Sequence, residues 1–169
     1  MLHKYLKIKQ EYENLLHKRL KEGRLPLKDT GIGYWAITST DDIYALFRKI
    51  NLHEYKSFID LGSGDGRVAA IASIFTKATG IEYDKELHEI AASMPHSAQL
   101  IQGDFMEHDL SAYDIIFINP DKHSVELEEK FHNELNGTLI VFGNEFHPKT
   151  LSHVQTIIPH VSPATLYKR

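Results

Sequence analysis

Between residues 57 and 142, short apolar runs alternate with segments whose apolar positions recur every three or four residues. That alternation predicts an α/β domain built on a mostly parallel sheet with helices over its faces. The apolar runs place strands at 57–61, 77–82, 98–101, 113–119 and 138–142. The helical periods place helices at 66–75, 85–94 and 124–135, with a short turn near Phe105. Beyond His147 the stretch 151–160 suits helix or strand, and two closing strands near 154–158 and 164–168 are the preferred reading. At the other end, Tyr5, Ile8, Tyr12, Leu15, Leu16 and Leu20 recur with Lys and Arg between them, as an amphipathic helix requires, and Gly23 and Pro26 stop it. Residues 29–38 carry glycines and aromatics without a clean period and read as a loop. A helix capped by Ser39 or Thr40 follows, with Asp41 and Asp42 at its positive end.

The chain has 169 residues, 42% of them hydrophobic, which suits one domain with a sizeable core and leaves no room for a separate substrate domain. The reading is a single domain over 1–169, with N-terminal helices and a substrate-side loop in 1–54 and the sheet core in 55–169. Zero Cys excludes thiol nucleophiles, Cys-ligated zinc, iron-sulfur clusters and disulfides. The longest apolar stretch, 68–75, falls far short of the roughly 20 residues of a membrane span. The first ten residues hold no continuous apolar signal segment, so the expected location is the cytoplasm, and Asn136-Gly137-Thr138 reads as a turn. Eleven His residues include no H-E-x-x-H arrangement, so no metal site is expected. Charge is unevenly spread: residues 1–28 hold eight Lys or Arg against three Glu, and the remainder hold eleven against twenty acids. The basic head reads either as the wet face of a helix or as a contact for RNA or an acidic protein surface.

The chemistry concentrates in Phe58-Ile59-Asp60-Leu61-Gly62-Ser63-Gly64-Asp65-Gly66-Arg67, where an apolar strand ends in three glycines at alternate positions and a helical pattern follows. Glycine permits positive φ and close approach of a ligand to the backbone, and a helix start presents free N–H groups. A dinucleotide loop would need a third glycine where Arg67 stands, and a nucleoside triphosphate loop needs Gly-Lys followed by Ser or Thr, which the chain lacks.

An acid at the strand end followed by G-x-G-x-G resembles the class I S-adenosylmethionine-dependent methyltransferases, and further landmarks follow in order. Glu82 stands 20 residues beyond Gly62, Asp104 follows the third strand, and Asn119-Pro120 ends the fourth. The resemblance implies a three-layer, Rossmann-like, mostly parallel seven-stranded sheet with an antiparallel last strand, with 55–169 as its cofactor-binding core. It implies S-adenosylmethionine as cofactor and S-adenosylhomocysteine as product. Gly62, Gly64 and Gly66 would shape the loop around the methionine part, Asp60 would hold its ammonium, and Asp65 would be a further contact. Glu82 would accept the ribose hydroxyls, Asp104 would bond the adenine amino group, and Phe105 or Tyr83 would contact the ring.

For the acceptor, absence of Cys excludes a thiolate adduct and leaves direct displacement at the sulfonium carbon, which asks for alignment more than for acid-base help. Asn119-Pro120 is half of the motif by which amino-methylating nucleic-acid enzymes orient an exocyclic amine. Asp121 and Lys122 replace its second proline and its aromatic. The layout also resembles the small seven-strand protein lysine methyltransferases, through the amphipathic first helix, Gly33-Tyr34-Trp35-Ala36-Ile37-Thr38, and Gly143-Asn144-Glu145-Phe146-His147-Pro148. That resemblance implies a protein lysine substrate. Tyr34, Trp35 and Phe146 would wall a channel for the lysine stem, with Asp121 beside it, Thr38 near the cofactor, and Asn119 and Tyr34 as the catalytic candidates. The same aromatics could instead pack the first helices onto the sheet. RNA is the second acceptor, and a small molecule or a non-catalytic cofactor-binding module stands behind it. Removal of residues 1–28 is expected to spare cofactor affinity and to lower transfer.

Overall fold

The computed structural model describes all 169 residues. The chain opens with α1 (Leu2–Lys21), a hairpin of β1 (Leu27–Asp29) and β2 (Tyr34–Ala36), and α2 (Thr40–Lys49). Then β3 (Ser57–Leu61), α3 (Arg67–Ala72), β4 (Lys77–Glu82), α4 (Lys85–Ser93) and β5 (Gln99–Gln102) follow one another. The chain continues through β6 (Ile115–Ile118), α5 (Val125–Glu134) and β7 (Thr138–Phe142), and closes with β8 (Ser152–Ile157) and β9 (Ala164–Lys168).

Seven strands form one sheet in the order β5-β4-β3-β6-β7-β9-β8. The pairs from β5 through β7 are parallel, and β9 runs antiparallel to both neighbours. The fold is thus the expected Rossmann-like sheet with an antiparallel last strand. Strand order reverses between β4-β3 and β3-β6, so the carboxyl ends of these three strands border a crevice, the place where open α/β sheets bind ligands.

Alternation along the buried strands supplies two cores. Phe58, Phe117, Ile140 and Phe142 face α1, α2 and α3, where Tyr5, Ile8, Tyr12, Phe47 and Ile71 pack against them. Ile59, Leu61, Ile116, Leu139 and Val141 face the other way, under Leu127 and Phe131 of α5 with Leu110, Phe146 and Leu151. On that second face α5 is the single α-helix contributing to the cluster. At the outer edge β8 is exposed at five of its six positions, and its pairing with β9 slips between His153 and Gln155 in a bulge.

Two expectations are corrected. The stretch read as a loop over 29–38 is partly a hairpin, in which Leu27 pairs Ala36 and Asp29 pairs Tyr34. Its tip closes by Thr30 N–H to the Gly33 carbonyl at 2.9 Å, with Asp29 accepting from Gly31 N–H at 2.8 Å. The helix expected over 66–75 is only the six residues of α3. Ile74 and Phe75 donate N–H groups back to Ile71 and Ala72, the i→i+3 bonds that tighten a helix end. Ser39 is the N-cap of α2, its hydroxyl accepting from Asp42 N–H at 3.2 Å.

Candidate functional site

The loop after β3 takes positive φ at Gly62 (70°), Gly64 (56°) and Gly66 (79°), a backbone that side chains resist. It is pinned from β4. The Ile81 carbonyl accepts from Gly62 and Ser63 N–H at 3.0 and 2.9 Å. One oxygen of Glu82 accepts from Gly64 N–H at 2.7 Å and the other from Asp84 N–H at 2.8 Å. Glu82 therefore sets the loop and the start of α4 together. Burial raises its pKa, and its backbone donors pull the other way.

Asp60, at the end of β3, is buried with one carboxylate oxygen unbonded. Burial first, then the neighbouring Glu82 and Asp65, raise its pKa well above the usual carboxylate range. Asp65 is compensated: Arg67 Nη2 lies 2.5 Å from its Oδ2, and the same guanidinium donates to the Thr38 carbonyl at 3.2 Å. Arg67 also lies 5.0 Å over the Tyr12 ring, whose hydroxyl donates to the Asp65 carbonyl at 3.0 Å, so α1 braces the glycine loop.

Around these groups lies a cavity of about 650 Å³. Asp60, Gly62, Asp65 and Glu82 line its floor, Tyr83, Asp104 and Phe105 one side, and Thr38, Tyr34, Trp35, Asn119 and Asp121 the other. These twelve sequence candidates come together at the crevice. One carboxylate oxygen of Asp104 accepts from Met106 N–H at 2.8 Å, as the cap of a single 3₁₀ turn. Asn119 approaches the Thr38 hydroxyl at 3.4 Å.

Three candidates stand elsewhere. Gly64 and Gly66 shape the loop without lining the cavity, because Trp35 lies over Gly64 and Ala91 of α4 lies where a Gly66 side chain would go. Phe146 is no channel wall. It is 0% exposed and packs with Phe131 and His123 at centroid distances of 6.1 and 5.5 Å, because the chain leaving β7 folds it under α5 into the second core. Sequence reasoning missed Arg67, Ile32, Lys122, Glu126 and Glu145, which also line the cavity. Arg67 carried a signal, since it occupies the position that broke the dinucleotide pattern; Ile32 and Lys122 reach the cavity through the contact of the hairpin with the β6–α5 loop, and Glu126 and Glu145 reach it from α5 and from the segment after β7. No group of His, Asp and Glu is placed to hold a metal ion.

The lining carries seven carboxylates, Asp60, Asp65, Glu82, Asp104, Asp121, Glu126 and Glu145, against two cations, Arg67 and Lys122. With Asp65 paired to Arg67 and Asp60 raised in pKa by burial, the remaining acids still favour positively charged guests, and Asp60 keeps one buried oxygen without a hydrogen-bond partner. The volume is that of a small-molecule site.

No family model and no curated protein matches the sequence. Solved structures do match the fold. An RNA methyltransferase from Salinibacter ruber, in complex with S-adenosyl-L-homocysteine, aligns with a TM-score of 0.63 at 18% identity over 79% of this chain and 93% of its own. Human N-acetylserotonin methyltransferase, in complex with SAM, gives 0.60 at 15% over 77% of this chain and 52% of its own. A Pyrococcus abyssi tRNA (uracil-54, C5)-methyltransferase, in complex with S-adenosyl-L-homocysteine, gives 0.60 at 15% over 85% and 45%. This chain spans about half the length of the last two. These likenesses establish a Rossmann-like methyltransferase fold and leave activity to be argued from the site.

Proposed function

We propose that the protein is an S-adenosylmethionine-dependent methyltransferase whose acceptor is a basic amine, a protein lysine in the first instance. The observation that carries the reading is Asp60, a buried carboxylate with a free oxygen at the end of β3, beside a backbone loop that no side chain obstructs at Gly62. The cofactor, when bound, supplies a methyl group on a positively charged sulfur. Asp60 would take its ammonium. Glu82 has spent one lone pair of each oxygen on backbone N–H groups and keeps the remaining ones for ribose hydroxyls. The second oxygen of Asp104 and the faces of Phe105 and Tyr83 would meet the adenine.

The acceptor reading rests on charge and shape on the side of Tyr34 and Asn119. Asp121, Glu126 and Glu145 attract a cation there, while Ile32, Tyr34 and Pro120 offer an apolar path for an alkyl stem. An amine must reach the methyl carbon neutral, so that the N–C bond forms as the C–S bond breaks and the amine proton leaves to water. Desolvation among these apolar groups lowers an amine pKa, which ordinarily lies near 10.4. With Phe146 in the core, Tyr34 and Trp35 are the aromatic walls that remain of the expected channel. RNA is the second reading. It is favoured by Lys4, Lys7, Lys18 and Lys21, exposed on α1.

Transfer of labelled methyl from S-adenosylmethionine into cell extract tests the proposal, with the product divided between protease and nuclease digestion. Protease-sensitive, base-resistant label in lysine is the expected result. Nuclease-sensitive label would replace lysine by RNA, and cofactor binding without macromolecular label would leave a small-molecule enzyme or a non-catalytic binding module.

A further inference from the structure

The β1–β2 hairpin roofs the cavity without being built into either core. None of its six strand residues is buried, and Leu27 and Tyr34 are 51% and 60% exposed. Neither hydrophobic cluster includes a hairpin residue. What holds it is Trp35, which lies over Gly64 with the buried Arg19 guanidinium 5.4 Å from its ring centre, and a small set of polar ties. At the base, Ile37 N–H donates to the Pro26 carbonyl at 3.2 Å and Arg67 holds the Thr38 carbonyl. Midway, Lys28 reaches Asp84 at 2.8 Å and Glu86 at 2.9 Å.

At the tip, the segment following β6 takes hold. Asp121 Oδ2 accepts from Tyr34 N–H at 2.8 Å, and Lys122 Nζ donates to the Ile32 carbonyl at 3.3 Å. Gly33 lies against the same carboxylate, so closely that a Cβ there would stand 3.3 Å from Oδ2. Residues 119–122, which half-match a base-recognition motif, thus meet the hairpin and the segment after it at three points, counting Asn119 to Thr38. Trp35, the chain's single tryptophan, rides on the hairpin and covers Gly64.

With few buried apolar contacts in the hairpin and exposed ties at its tip, that end opens at low cost compared with the sheet beneath it, while the buried Arg67–Thr38 bond keeps the base in place. We propose that the hairpin is a flap over the cavity and that Asp121 is the positioning residue that latches its tip, so that release of the Tyr34 N–H by Asp121 opens the path for cofactor exchange. Asp121 acts through Tyr34 and Trp35 and touches no reacting atom. The gating role rests on the cofactor reading of the cavity; the latch itself does not.

Two measurements on the full chain separate these parts. In the ligand-free protein, acrylamide quenching of Trp35 reports how often the flap is open. Asp121→Ala should increase quenching with far-UV circular dichroism unchanged, and Asp121→Asn, which keeps an oxygen acceptor, should lie close to wild type. Lys28→Met, which cuts the midway tie, gives a second route to the same opening. With S-adenosylhomocysteine bound, stopped-flow dilution should show release from Asp121→Ala faster by about tenfold, the scale of one hydrogen bond to a charged acceptor, with Asp121→Asn again restoring slow release. Equal quenching in wild type and Asp121→Ala would overturn the latch. Increased quenching with unchanged release would overturn the gate. Failure of wild type to bind S-adenosylhomocysteine would overturn the cofactor reading and the gate together, and the quenching comparison would still decide the latch.

Discussion

A carboxyl group shut away beside two others, with one oxygen unbonded, is unfavourable for the ligand-free protein. Because Asp60 has a folded-state pKa above its unfolded one, near 3.9, its contribution to stability is fullest below that value and is lost as pH rises through the folded one. Asp60→Asn is therefore expected to raise Tm more at pH 8 than at pH 5, read by thermal melts, while weakening S-adenosylmethionine binding at least about tenfold by calorimetry. An ammonium arriving at Asp60 favours the charged carboxylate, so binding at a pH where Asp60 holds its proton should release it. Calorimetry in two buffers of different ionisation enthalpy would show it, and buffer-independent heats would remove Asp60 from the ammonium site. Glu82→Gln leaves one acceptor oxygen for two backbone donors, Gly64 and Asp84, so about 1.5–3 kcal/mol of stability should be lost in urea titration along with cofactor affinity.

At the level of elements, α1 changes standing. It supplies Tyr5, Ile8 and Tyr12 to the first core, and the Tyr12 hydroxyl braces the glycine loop. Each fully buried side chain of this kind contributes about 1.5–3 kcal/mol to a total stability of only about 5–15 kcal/mol. Deletion of residues 1–28 is now expected to lower Tm sharply and to weaken cofactor binding, against the expectation from sequence; a truncation with wild-type affinity would show α1 to be dispensable. Legibility followed burial. The strands β3, β4 and β7 were read to the residue: β7 carries the unbroken apolar run 139–142, and β3 and β4, though interrupted by polar residues, are bounded by the glycine loop and by Tyr83-Asp84. The hairpin was not, since strands of three residues, each with one half-buried position, are too short to show an alternation, and its tip is held by partners 87 and 90 residues away, Asp121 for Tyr34 and Lys122 for Ile32. The glycine loop and its acids were legible because local backbone needs dictate residue type. Phe146 was misread because an aromatic near a strand end gives no sign of which way the following turn carries it.

For the whole molecule, the basic first segment and the acidic remainder meet through Lys9–Asp41, Arg24–Glu86 and Lys28–Asp84. The Lys9 ammonium and the Tyr5 hydroxyl lower the Asp41 pKa, and Lys28 does the same for Glu86. For Asp84, burial pulls upward and the Lys28 ammonium with its backbone donors outweighs it. Carboxylates with depressed pKa stabilise the fold above their unfolded values and lose that contribution as pH falls through the folded ones. Below about pH 4 these ties should loosen before the sheet does, so Trp35 emission is expected to change at a higher pH than far-UV circular dichroism. Coincident transitions would show the first segment and the sheet to be one cooperative unit. Most of these pairs are partly exposed, so their individual worth is small and salt should shift the acid transition of Trp35 upward in the same experiment. The bulge between His153 and Gln155 bears on how the molecule behaves in company. A neighbouring copy seeking to add a strand beside β8 would meet a kinked, out-of-register row of donors and acceptors, so the one long exposed edge of the sheet is a poor template for fibre growth, and concentrated solutions should stay disperse.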